Sequence, residues 1–212
     1  RENLIAEGTS ADSIHLVGNT MIDSLVAYDD LVQANDILER SQLVTGGYAL
    51  MTMHRPATVD DPKELDKMIS LIEVAAKDRT VVFSVHPRTR TNMERFGSFK
   101  ELENIKNLQL HGPLDYFAFQ KLIAHSEVVI TDSGGIQEET TFRQIPCLTL
   151  RPNTERPITV TEGSNELVPF DRDALADALN RIRDKRFKES KIPHLWDGHA
   201  TERVFDVLDR SL

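Results

Sequence analysis

Three short stretches concentrate the residues able to do chemistry. In "TDSGGIQEE", residues 131–139, two glycines follow Asp132 and Ser133 and precede the carboxylates of Glu138 and Glu139. If a helix starts at Gly134 and Gly135, its free backbone N–H groups and the positive end of its dipole favour an anion, most often a phosphate. Carboxylates in that first turn repel a bare phosphate unless one of them serves neutral donors such as ribose hydroxyls, and a nucleotide carries both parts. The alternative is an ordinary strand-to-helix turn in which Ser133 caps the helix and the two glutamates complement its dipole. In "TMHRPATVDD", His54 and Arg55 form a pair able to hold phosphate oxygens or to protonate a leaving oxygen; the other reading is a solvated surface pair. In "RPNTERP", Arg151 and Arg156 flank Thr154 and Glu155, either as a buried Glu–Arg pair shaping a loop or with Arg156 offered to a sugar or phosphate. His86 ends the run "TVVFSVH", with Arg88 and Arg90 beside it either as solvated cations or serving a second anionic ligand, and Phe117 and Phe119 divide between packing in the core and offering a ring to a base.

Other chemistries find less support. No His-x-x-x-His, cysteine pair or clustered aspartate has metal-ligand spacing, so neither a metal nor another cofactor is expected. Ser133 lacks the Gly-x-Ser-x-Gly elbow of a hydrolase nucleophile. A net charge of -9 over 212 residues argues against nucleic acid or an anionic membrane surface as the main partner. The lone Cys147 rules out an internal disulfide framework and reads as a buried structural thiol. With no apolar run near the about 20 residues of a membrane span and an opening too polar for a signal peptide, the expected location is the cytoplasm. That opening, "RENLIAEG", reads as a helix entered partway, as in a piece of a longer chain.

The elements that must position these residues alternate. Strand-like runs are "IHLVG", "YALMTM", "TVVFSVH", "NLQLHG", "EVVITDS", "PCLTL" and "NELVPF"; segments with apolar residues at three- and four-residue steps lie between them, and the tail ends in an amphipathic helix. This alternation predicts an α/β fold, a Rossmann-like parallel sheet with helices on both faces. Right-handed crossovers would set the strand C-termini along one edge, where open α/β sheets bind ligands. His54, His86, Ser133 and Arg151 all fall there.

In order along the chain, "VGNTMIDSL", "MTMHRP" with "VDDP", "SVHPR", "LHGPLDYFAF", "VVITDSGGIQEE", "LTLRPNTERP" and "WDGHATERV" resemble the C-terminal domain of the UDP-N-acetylglucosamine 2-epimerases. The likeness covers nearly all of residues 1–212, and "DSGGIQEE" with "TERP" carries most of its specificity. It implies the C-terminal half of a two-domain GT-B architecture, with the ligand in the cleft between two Rossmann-like domains. It further implies that Ser133, Gly134 and Gly135 hold the UDP phosphates, that Glu139 takes the ribose hydroxyls, and that Phe119 lies near the uracil. Arg156 would line the substrate pocket and His54 would be the catalytic residue against the diphosphate, while Arg55 and His86 match a second, regulatory nucleotide-sugar site of some members.

The implied reaction is isomerisation of UDP-GlcNAc to UDP-ManNAc. The proton at carbon 2 is removed, UDP leaves to give a glycal, and UDP returns after reprotonation on the opposite face. The family's acid and base carboxylates belong to an N-terminal domain absent from this chain, so the chain alone is expected to bind UDP without turning UDP-GlcNAc over. The full-length protein would be a homodimer, as is common in the family. One departure is visible: "HRPAT" stands where the family often has "HRxEN". Two alternatives remain, the donor-binding domain of a GT-B glycosyltransferase, which "TERP" counts against, and a non-enzymatic nucleotide-binding module.

Overall fold

The β-branched and apolar runs form strands because both of their faces are covered. In the computed structural model, which describes residues 1–211, β1 (Tyr48–Thr52), β2 (Thr80–Ser84), β3 (Leu108–His111), β4 (Val128–Thr131), β5 (Cys147–Thr149) and β6 (Asn165–Leu167) pair in parallel in the order β3-β2-β1-β4-β5-β6. The expected domain end at Leu212 lies outside the described residues. Alternate residues of β1 feed two cores. Ala49 and Met51 pack with Met68 and Ile72 of the helix Pro62–Ala75 and with Leu175 and Leu179 of the helix Arg172–Arg183. On the other face Tyr48 and Leu50 pack with Leu122 and Ile123 of the helix Tyr116–His125 and with Ile136 of the helix Gly134–Arg143.

Side-chain caps fix where several helices start. Asp61 accepts from Lys63 N–H, Asp115 from Ala118 N–H, and Asp171 from the N–H groups of Asp173 and Ala174; such a cap contributes about 1 kcal/mol. Leu50 of β1 sits opposite Val82 of β2 on one side and Val129 of β4 on the other. The strand order reverses between β1 and β4, and in a doubly wound sheet the ligand crevice opens at that reversal, outside the strand C-termini.

One expected strand is absent. "IHLVG" pairs with nothing in the sheet; it lies instead against the C-terminal segment, where Arg203 donates to the Val17 carbonyl. Gly18 has φ +107, and a Cβ on it would come within 2.3 Å of the Leu195 carbonyl oxygen, so only glycine fits that approach. The C-terminal helix Ala200–Ser211 is also fastened to the chain's own N-terminal portion, since Asp23 accepts from the N–H groups of Ala200 and Thr201. Phe205 and Leu208 of that helix stay exposed. Cys147 is fully buried, as expected, and burial pushes its thiol up to about 11. Among the described residues no helix is long and apolar enough to cross a membrane.

Candidate functional site

β1 and β4 end side by side, which brings the His54–Arg55 loop against Asp132. The Asp132 side chain is fully buried and is surrounded by donors. Its Oδ2 accepts from the backbone N–H groups of His54 at 2.9 Å and Arg55 at 2.8 Å, while Oδ1 lies 2.9 Å from His54 Nδ1. Burial pushes this carboxyl up, but the His54 ring and the two backbone N–H groups outweigh burial and hold it below the ordinary aspartate range. The His86 ring lies 5.4 Å from that of His54, centroid to centroid. Burial and the neighbouring His54 both hold His86 below the usual imidazole range, and its Nδ1 accepts from Arg88 N–H.

The helix Gly134–Arg143 starts directly after this carboxylate, with Ser133 as its N-cap residue. Two expectations need correction. The Ser133 side chain makes no capping hydrogen bond, and the first turn holds no acidic residue, because Glu138 and Glu139 lie beyond it. Neither Gly134 nor Gly135 has a positive φ, and a Cβ on Gly134 would meet no atom closer than Glu155 Oε2 at 3.9 Å. Backbone strain therefore does not require glycine at position 134. What its missing side chain leaves open is the approach to the helix's free N–H groups.

The two glutamates go different ways. Glu138 is buried; its Oε1 accepts from Asn19 Nδ2 at 3.0 Å, and its Oε2 lies 3.0 Å from Arg156 Nε without the alignment of a hydrogen bond. Glu139 is half-buried, and burial pushes its carboxyl up to about 7 against the opposing pull of Gln120 and Arg143.

Neutral hydrogen bonds hold the "RPNTERP" loop to the same helix. The fully buried Gln137 accepts through Oε1 from Thr154 Oγ1 at 2.6 Å and from Asn165 Nδ2 at 3.0 Å. Asn165 in turn accepts from Thr149 Oγ1 and donates to Thr159 Oγ1, and Thr154 Oγ1 accepts from Arg156 N–H. A Glu–Arg pair exists as Arg151 with Glu155, at 2.7 and 2.9 Å, but it lies on the exposed side of the loop rather than buried as expected. Arg151 also lines, with Arg55, Thr58 and Phe170, a cavity of about 520 Å³, and the Arg55 Nε is buried without a hydrogen-bond partner. Of the two residues expected at a second site, Arg55 borders this cavity whereas His86 sits with His54. Phe119 is half-buried against the core cluster that includes Leu122 and Val129, and Phe117 meets the Tyr28 ring edge-on. Arg88, read as solvated, forms an exposed ion pair with Asp60.

Sequence reasoning missed Asp132, Gln137, Asn165 and Asn19 as contributors to the site. It also missed the short helices Pro56–Val59, Pro87–Phe96 and Pro157–Thr161, each of which has one of the singled-out residues, Arg55, His86 or Arg156, as its N-cap. The signal was in the sequence: proline is pre-organised for the first position of a helix, and each of these residues immediately precedes one.

Comparison with known proteins identifies the family and the fold. The family described as UDP-N-acetylglucosamine 2-epimerase matches residues 1–209. The UDP-N-acetylglucosamine 2-epimerase of Methanocaldococcus jannaschii is 33% identical over 215 residues, covering 98% of this chain and 58% of the relative. That of Escherichia coli K12 is 31% identical, covering 100% and 58%. The chain thus spans about three-fifths of the length of these relatives. The crystal structure of the M. jannaschii enzyme in complex with UDP-GlcNAc and UDP superposes with a TM-score of 0.86 at 32% identity, over 99% of this chain and 58% of that one. The wall teichoic acid polymerase TagF, at 13% identity and a TM-score of 0.55 over 96% of this chain and 53% of that one, shares the fold alone.

Proposed function

Since the chain belongs to the UDP-N-acetylglucosamine 2-epimerase family, we propose that it is the UDP-binding half of an enzyme that, at full length, interconverts UDP-GlcNAc and UDP-ManNAc. The observation that carries this reading is the meeting, at the β1/β4 reversal, of an open helix N-terminus with an imidazole fixed on the residue just before it. With the Ser133 N–H donated to Thr131 Oγ1, the Ser133 hydroxyl and the N–H groups of Gly134 and Gly135 receive the diphosphate, and the helix dipole favours its charge. Glu139, further along the helix, accepts from the ribose hydroxyls, Phe119 lies by the uracil, and Arg156 lines the pocket for the sugar.

His54 does the chemistry assigned to this half. When UDP leaves after loss of the proton at carbon 2, charge grows on the bridging phosphate oxygen. A positioned imidazole and preorganised N–H dipoles stabilise that charge or donate a proton to it. The groups that remove and return the carbon-2 proton belong to the rest of the full-length protein. Arg55, at the neighbouring cavity, is assigned with His86 to a second nucleotide-sugar site.

Incubating the full-length protein with UDP-GlcNAc in D2O, with no acceptor, tests the reading. The expected outcome is UDP-ManNAc, with deuterium at carbon 2 in both epimers. Inertness until an acceptor sugar is supplied would assign the chain to a glycosyltransferase instead. Nucleotide binding with neither activity would leave a binding module.

A further inference from the structure

We propose that Asp132 is the positioning residue for His54: its carboxylate holds the imidazole with Nδ1–H inward and leaves Nε2 as the working nitrogen beside the glycine turn. The inference rests on the proposed role of His54, but its geometry can be examined without any turnover.

Asp132 accepts everything near it. Both backbone N–H groups at the end of the β1 loop reach Oδ2, at 2.9 and 2.8 Å, and Oδ1 takes the ring at 2.9 Å together with a longer share of the His54 N–H at 3.1 Å. A buried, ionised carboxylate can only accept, so the facing Nδ1 must carry its proton whether His54 is neutral or charged. Nε2 is then the nitrogen that takes up the second proton when the ring becomes charged, the proton offered to the departing diphosphate, and among the described residues it has no hydrogen-bond partner. The same carboxylate also fixes the loop that carries the ring, and it is joined to the glycine helix through Ser133 alone. A single side chain thereby sets the distance between the phosphate cradle and the imidazole.

The neighbouring ring is held the opposite way. His86 Nδ1 accepts from Arg88 N–H at 3.2 Å, so its proton resides on Nε2. Two histidines whose ring centroids are 5.4 Å apart are thus set in opposite tautomers by their different partners. This makes His86 an internal control.

Asp132→Asn gives a directed test. The two backbone N–H groups cannot change character, so the amide oxygen must stay with them and the amide NH2 must face His54 Nδ1. Nδ1 then becomes an acceptor, and the proton moves to Nε2. Ring nitrogen shifts read by long-range 1H–15N NMR at mildly alkaline pH should show His54 protonated on Nδ1 in the parent and on Nε2 in the variant, with His86 on Nε2 in both. In the full-length protein kcat should fall by roughly 10²-fold or more, within the range of a positioned acid–base group, because the amide no longer stabilises the charged ring that donates from Nε2, with little change in KM.

A parent His54 protonated on Nε2, or a variant that keeps the parent tautomer, overturns the proposal. If the variant does not fold, the parent spectrum decides alone. A tautomer that switches while kcat is unchanged supports the positioning and overturns the role assigned to His54 in the reaction, so the two failures are distinguishable.

Discussion

The glycine turn is flanked by two loops held in opposite ways. The His54–Arg55 loop hangs on one buried charge, the Asp132 carboxylate. The Thr154–Arg156 loop hangs on the neutral amides and hydroxyls of Gln137, Asn165, Thr149 and Thr159, with the Arg156–Glu138 ion pair as its one charged tie to the glycine helix among the described residues. A carboxylate collects several N–H donors at one point and orients a titratable ring, but it depends on remaining ionised. A neutral network spreads its hydrogen bonds over several side chains and is indifferent to pH. The chain uses the charge where an imidazole must be oriented and the amides where a loop need only be held.

The largest break in this comparison comes from the neutral side. Gln137→Leu fills the same buried volume but removes the acceptor for Thr154 and Asn165. It should cost roughly 1–3 kcal/mol in urea unfolding, the penalty for leaving buried polar groups without partners. UDP affinity should drop as Arg156 loses its register, and the stability loss should be the same at pH 7 and pH 4. A variant as stable as the parent would mean that the loop is held by packing.

The smaller effect comes from the charged side and depends on pH. Asp132 is held below its ordinary range, so its contribution is present at neutral pH and begins to be lost as the pH falls below about 4, where an unfolded aspartate titrates. The stability gap between the parent and Asp132→Asn should therefore shrink on acidification through that window, while the gap for Gln137→Leu stays level. Parallel curves for the two variants would remove the distinction between the flanks.

How much of this was legible in the sequence follows the same division. β1 to β6 could be read directly, because apolar runs such as Val128, Val129 and Ile130 bounded by turn residues mark buried strands, and the alternation with helices fixed the parallel sheet. "IHLVG" carried the same local signal, yet it meets the C-terminal segment through Gly18 and the Val17 carbonyl, a contact that no local pattern encodes. The positions of His54, Ser133 and Arg156 at the ligand edge followed from strand ends. What held them did not: Asp132 meets His54 across 78 residues and Gln137 meets Asn165 across 28, and isolated polar residues give no sign of such partners. The adjacent glutamates make the point within one helix. Identical in type and adjacent, they give no local sign of their partners, but one is tied to Asn19 and Arg156 while the other is left in a poorly hydrated place.

That second glutamate makes nucleotide capture an exchange of protons as well as of water. With its carboxyl pushed up to about 7, Glu139 is divided near neutrality between its protonated and ionised forms. A ribose diol offering two hydroxyl donors favours the ionised form and would expel the remaining proton, whereas a phosphate felt as bare negative charge would draw one in. Calorimetric titration with UDP at pH 7 in buffers of different ionisation enthalpy reads the sign directly. Net release is expected, and it should vanish in Glu139→Gln; net uptake would show that Glu139 senses the phosphate end of the nucleotide.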